Sequence, residues 1–197
     1  MLSDTHKLIA QSIFKTLQAE LKINIDYGSF RHGCIAPDIY PSMMFMSHSF
    51  DGSIDLVNEN IKYLCEHMLP GDKKSIKKFS FRLGVVIHFI SDYFCKAHND
   101  KRYDNLILHY IYERNLERFL KRRVKALELM PAVNAAVSNM KGKISDFIYE
   151  KHLEYKKMRF SMSNDLKYTL SVSTSVALKI VSGCMAEVNN GLLREIA

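Results

Sequence analysis

Apolar positions along this chain fall into stripes with helical spacing. Leu8, Ile9, Ile13, Phe14, Leu17 and Leu21 form the first, which predicts a helix capped at its start by Ser3 or Asp4. Leu56, Val57, Ile61, Leu64, Cys65 and Met68 form a second over about residues 53–68, stopped by Pro70-Gly71. Asp72 opens a third, long and central, with Ile76, Phe79, Leu83, Val86, Ile87 and Ile90 at core positions. Gly84 within it admits the close approach of another backbone or, more simply, tight helix packing. Leu116, Phe119, Leu120, Val124 and Leu127 carry a fourth helix to about Met130. A fifth spans about residues 145–158, and a sixth starts at Asn164 or Asp165 and runs through Leu170, Val172, Val176, Ile180 and Val181 to about Leu193.

One stretch, roughly residues 30–53, resists this reading. Gly33, Pro37 and Pro41 prevent a continuous helix, so a loop is expected, with Ala36 extended ahead of Pro37 and Asp38 presented from irregular chain. With only eight glycines and four prolines, and no apolar–polar alternation long enough for a sheet, the expected fold is all-α. No repeat or linker divides the 197 residues, which predicts one domain, a multi-helix bundle with an N-terminal loop region.

Chemistry concentrates between His88 and Glu113. His88 and Asp92 stand four apart, His98 follows six later, and His109 and Glu113 again stand four apart. On a helix such pairs project from one face with Cβ atoms about 6 Å apart, so each can clamp one metal ion. Imidazole with carboxylate suits a catalytic Zn²⁺ that keeps an open position. A continuous helix would lift His98 about 15 Å above His88, so the helix must end near residues 95–97 and the chain must fold back. The polar run from Asn99 to Asp104 then supplies the turn into a second ligand helix. A lone His-x-x-x-Asp is most often a surface or core pair, but two such pairs bracketing a third histidine argue for a site.

Upstream, His6, Asp38 and His48 stand ahead of this cluster. Alone, His6 reads as a solvated first-turn histidine and Asp38 equally as an Asx-turn or a helix cap. Taken in order, His6, Asp38, His48, His88-x3-Asp92-x5-His98 and His109-x3-Glu113 resemble the zinc-dependent phospholipase C family. That family shares its trinuclear site with single-strand-specific nucleases, and the resemblance covers about residues 1–113. It implies two or three Zn²⁺ ions, with His48, His88 and Asp92 on one and His98, His109 and Glu113 as further ligands. It implies a third ion held by His6, Asp92 and an N-terminal amine, here that of Met1, in place of the family's N-terminal tryptophan. The chain has no tryptophan, so this ion is expected to be the most weakly held. Asp38 is by resemblance the base that takes the proton of the attacking water. Phe45 keeps one aromatic wall of the family's choline cage, while Ile39 replaces the other, which argues against choline selectivity.

The expected activity is therefore hydrolysis of a phospholipid to diacylglycerol and a phosphorylated headgroup, with transient contact to a membrane surface. Two other classes compete: a nuclease or nucleotidase stacking bases on Tyr40, Phe45, Tyr93 or Tyr103, and a non-catalytic metal-binding relative. A net charge of +7 draws anions without choosing among lipid, nucleic acid and membrane. The basic run Lys121-Arg122-Arg123 reads as a solvated face, and residues 114–197 as scaffold behind the metals. Cys34, Cys65, Cys95 and Cys184 have no motif spacing and read as reduced, buried small hydrophobes. No secretory signal or membrane-spanning run is present in the sequence, so the chain as written reads as cytoplasmic, with secretion left open if its start is processed.

Overall fold

The computed structural model describes residues 1–21, 25–67, 72–127, 140 and 142–195, the side chains of 124–127 and 184–195 excepted. In chain order the helices are α1 (Ser3–Leu21), α2 (Tyr27–Gly33), α3 (Ala36–Ile39), α4 (Pro41–Met44), α5 (Phe50–Glu66) and α6 (Lys73–Tyr93). Two 3₁₀ turns, Lys96–His98 and Lys101–Asp104, lead into α7 (Leu106–Leu127), followed by α8 (Ile144–Lys157) and α9 (Met162–Glu195). The fold is all-α, and no strand occurs among the described residues.

Helix α6 is the centre of the bundle, packed by α1, α2, α5 and α9. Asp72 caps it, its carboxylate accepting from the amides of Lys74 at 2.9 Å and Ser75 at 3.0 Å. From Leu83 to Tyr93 every residue is buried, so each polar side chain there needs a partner. Ser91 returns its hydroxyl to the carbonyl of Ile87 within the helix. His88 and Asp92 have no such local outlet and find their partners on other elements.

The closest helix crossing is between α2 and α6. A Cβ built on Gly33 would overlap the carbonyl oxygen of Phe81, and one on Gly84 would overlap the carbonyl oxygen of Phe30. Gly84 thus serves both backbone approach and tight packing. The crossing brings the C-terminal end of α2 against the face that carries His88.

Local details differ from expectation for identifiable reasons. Neither Ser3 nor Asp4 caps α1. The amides of Thr5 and His6 bond to the carbonyl of Leu2, while Ser3 Oγ donates to Asp38 Oδ2 at 3.1 Å and Asp4 accepts from Lys7 at 2.8 Å. Of the loop expected at residues 30–53, residues 45–49 with His48 are irregular and lead into α5. But α2 runs to Gly33, and two short helices, α3 and α4, form because Pro37 and Pro41 each fall in a first turn, where a missing amide hydrogen costs nothing. Ala36 therefore opens α3 and Asp38 sits on it, whereas Tyr40, ahead of Pro41, is extended as that ring requires. Helix α5 starts at Phe50, three residues early, and α9 at Met162, ahead of Asp165. Met68, the Pro70-Gly71 stop and the stretch to Met130 lie outside the described residues.

Asp165 does not cap α9 but is buried among the helices. It accepts from Tyr112 Oη at 2.6 Å, Tyr155 Oη at 2.9 Å and the amide of Lys96 at 3.0 Å, joining α7, α8, α9 and the first 3₁₀ turn. Burial pushes its carboxyl above the usual range against these three donors. Cys34 and Cys95 are free, buried thiols, and the side chain of Cys184 lies outside the described residues. Among the described residues no helix is long and apolar enough to cross a membrane.

Candidate metal centre

Asp92, fully buried on α6, is the point on which the surrounding side chains converge. His48 Nδ1 lies 2.8 Å from its Oδ2, and the amine of Met1 lies 2.6 Å from its Oδ1. His6 and His98 place Nε2 at 3.3 and 3.5 Å from Oδ1, and His88 Nε2 lies 3.3 Å from Oδ2. Glu113 gathers the other half: its Oε1 is 2.9 Å from His109 Nε2, 3.2 Å from His98 Nε2 and 2.9 Å from the Met1 amine. Asp38 reaches in from α3, with Oδ1 3.7 Å from His88 Nε2.

Backbone carbonyls orient two of the imidazoles. His88 Nδ1 donates to the carbonyl of Cys34 at 2.9 Å, a contact that the α2–α6 crossing makes possible. His109 Nδ1 donates to the carbonyl of Tyr103 at 3.2 Å. His88 Nε2 is thereby turned inward, and His109 Nε2 is turned to Glu113 Oε1 at 2.9 Å, the orientation that backbone acceptors give to metal-binding histidines. The return of His98 is built by Asn99, whose Nδ2 donates to the carbonyls of Tyr93 at 2.9 Å and Cys95 at 2.8 Å, closing the frayed end of α6.

Electrostatics follow from burial and crowding. Burial, with His88 stacked at 4.0 Å between centroids, pushes His6 down to about 4, so its ring is neutral at pH 7. Burial also lowers His98. Burial opposes the charges of Asp92 and of the Met1 amine, but they hold each other: Asp92 stays well below the usual carboxylate range and Met1 well above the usual amine range. Glu113 is lowered in the same way by the Met1 amine and by His109.

These residues fit zinc. Four imidazoles, three carboxylates and one thiol, in sets whose donor atoms lie within 4.8 Å of one another, form the groups His6–His88–Asp92, Asp38–His48–His88 and Cys95–His98–Glu113, and His109 Nε2 adjoins the last at 2.9 Å from Glu113 Oε1. His6 Nε2 is buried 3.3 Å from Asp92 Oδ1 with no well-aligned hydrogen bond, and His88 Nε2 faces His48 Nδ1 at 3.2 Å. Imidazole nitrogens and carboxylate oxygens gathered this closely are the donor set that suits zinc.

All the expected ligands, Met1, His6, His48, His88, Asp92, His98, His109 and Glu113, therefore meet, with Asp38 at their edge. The solvated-histidine reading of His6 is overturned, since the helix face that carries it packs on α6. Ile39 and Phe45 do not join them: Phe45 is 88% exposed on the surface, and Ile39 is exposed as well. Beside these candidate ligands opens a cleft of about 510 Å³ lined by His48, His98, His109, Phe50, Leu106, His152 and Lys156, among others. His152 and Lys156 belong to the part expected to be scaffold alone. His152 stacks on Phe50 at 4.3 Å and donates to Asn99 Oδ1 at 2.8 Å, supporting the turn that returns His98. The signal for it was present, because Ile148, His152 and Tyr155 share one helical stripe. Cys95 was expected only as a small hydrophobe; it stands among the donors of His98 and Glu113, with its thiol held protonated by burial.

Burial also holds His152 down to about 4, from an ordinary 6.5, with Lys156 adding to the effect and Asp51 opposing it. Below pH 6.5 the unfolded chain takes up a proton that the folded ring refuses, so stability is lost as pH falls from 6.5 toward 4. Because the ring borders a wet cleft, the loss from this group should be about 1–2 kcal/mol. His152→Gln, which keeps a donor for Asn99 but does not titrate, is expected to lose that part of the difference between neutral and acid urea midpoints. An unchanged difference would show that His152 protonates freely.

A helical bundle that gathers several imidazoles and carboxylates beside an open cleft defines a multi-metal hydrolase. The chain belongs to the zinc-dependent phospholipase C family, whose model, described as zinc dependent phospholipase C, matches residues 5–162 of 197. The match runs well past residue 113, through α8 and its cleft residues. No curated protein and no solved structure matches the chain. Its reaction class is phosphodiester hydrolysis, its cofactor zinc, and its family substrate phospholipid.

Proposed function

We propose that the chain cleaves phospholipid at the phosphodiester in the cleft, with Asp38 as base and with metal held by three groups of its own residues. His48, His88 and Asp92 hold one ion beside Asp38; His98, His109 and Glu113 hold a second; His6, Asp92 and the Met1 amine hold a third. When bound, zinc neutralises charge on the phosphoryl oxygens and makes water acidic enough to react near neutral pH. The protein contributes placement. Ser3 occupies Asp38 Oδ2, which leaves Oδ1 on the His88 side to take the proton of the attacking water. Asp92 fixes the imidazoles around it, and the backbone carbonyls of Cys34 and Tyr103 keep His88 and His109 in the correct tautomer. Lys101 and Lys156 beside the cleft attract the phosphate.

The observation that carries this reading is the convergence of four imidazoles on the fully buried Asp92 carboxylate: His6, His48, His88 and His98 each place a ring nitrogen within 3.5 Å of it. The nuclease alternative draws less support: Tyr103 lines the cleft, but Tyr93 is fully buried with its hydroxyl on Ser53. Elemental analysis should find two or three zinc ions per chain, with His98→Ala losing a tightly held ion and His6→Ala a weakly held one. Chelator-sensitive release from p-nitrophenylphosphocholine should exceed any hydrolysis of single-stranded DNA. Zinc-free protein that refuses added metal, or cleavage of DNA alone, would overturn the assignment.

A further inference from the structure

The first two turns of α7 present an unusual surface. Leu106 is 83% exposed and Ile107 70%, and Leu108, Tyr110 and Ile111 are exposed as well. At 100° per residue these five share the outward arc of the helix, opposite the buried arc of Tyr112, Glu113, Leu116 and Leu120. A further exposed apolar group, Met44, Phe45 and Met46, immediately precedes Ser47, which like Leu106 lines the cleft. Exposed apolar clusters rimmed by charge mark interaction sites. Leu106 is itself part of the cleft wall, so the patch runs to the mouth of the site.

Charge is distributed to match. Beyond Ile111 the same outward arc of α7 carries Arg114, Arg118 and Arg122, all exposed, and Lys101 stands exposed before the helix. At 1.5 Å per residue, Arg114 and Arg118 sit about 4.5 and 10 Å further along the helix than Ile111, roughly the depth from the acyl boundary to the headgroups. Tyr110 lies at the junction, its hydroxyl 3.5 Å from Arg114, where an amphipathic ring suits an interface.

We propose that the apolar tip of α7, with the Met44–Met46 segment, docks the protein on an anionic phospholipid bilayer. Leu106, Ile107 and Ile111 enter the acyl boundary, and Arg114 and Arg118 meet the phosphates. The cleft mouth then faces the lipid surface. This rests on phospholipid being the substrate, and it adds where the surface is engaged and which lipid charge is favoured.

The test is flotation of full-length protein with vesicles of phosphatidylcholine, with and without phosphatidylserine. Wild type should float with the phosphatidylserine vesicles, less so as salt is raised. Ile107→Glu/Ile111→Glu should weaken that binding by at least about tenfold, with hydrolysis of p-nitrophenylphosphocholine and the far-ultraviolet circular dichroism unchanged. Arg114→Glu/Arg118→Glu should remove the preference for phosphatidylserine. Wild type that floats with neither vesicle, or a double isoleucine variant that binds as well as wild type, overturns the proposal. So does a wild-type dimer in sedimentation equilibrium that the double isoleucine variant dissolves, with no vesicle binding, since the patch then covers a second copy. Vesicle binding without turnover of the soluble ester would instead support docking and overturn cleavage of a choline ester.

Discussion

Asp92→Asn is expected to lower phosphodiester turnover by about 10³ or more and to reduce the zinc held per chain. The substitution keeps shape and volume and removes only charge and one acceptor. Both oxygens of Asp92 are engaged, Oδ1 by the Met1 amine at 2.6 Å and Oδ2 by His48 Nδ1 at 2.8 Å. An amide NH₂ in either position would point hydrogens at groups that need an acceptor. A fully buried carboxylate ringed by imidazoles has no solvent to compensate for the lost charge. The readouts are kcat/KM on a soluble phosphocholine ester and zinc stoichiometry after dialysis. Full turnover with full zinc would remove Asp92 from the centre.

Gly84→Ala is expected to destabilise the protein by about 2–4 kcal/mol, because the new methyl group meets the backbone carbonyl of Phe30 and not a side chain that could turn away. Helix α2 must shift, and with it the Cys34 carbonyl that holds His88. Metal affinity should therefore fall along with stability, although residue 84 touches no ligand directly. Gly183→Ala on α9 is the control: a Cβ there meets nothing, so the same change should stabilise by about 0.5–1 kcal/mol. Urea midpoints of the two variants measure the contrast. Equal midpoints would mean that the α2–α6 crossing is looser than its geometry.

Much of this was legible in the sequence because helical period and ligand spacing obey the same geometry. The pairs His88–Asp92 and His109–Glu113 had to share faces, and the distance argument required the chain to turn back before His98, as it does at Phe94. His6 was harder, since its neighbours along the chain look like a surface turn; only the packing of α1 against α6 buries it. The short helices at residues 36–44 were hidden because proline reads as a breaker unless its place in a first turn is known. Asp165 looked like a cap, and only long-range packing supplies the two tyrosines that make it an interior hub. His152 carried its signal, the stripe through Ile148 and Tyr155, but its role depends on Asn99, 53 positions away.

The acceptors that fix His88 and His109 are main-chain carbonyls, those of Cys34 and Tyr103. No point substitution deletes a carbonyl, so these two rings are shielded from mutational drift in a way that rings steered by aspartate or glutamate are not. Laboratory evolution toward a different ion preference should therefore find its gains at the coordinating side chains themselves, or in changes that shift α2, and few in the residues surrounding them.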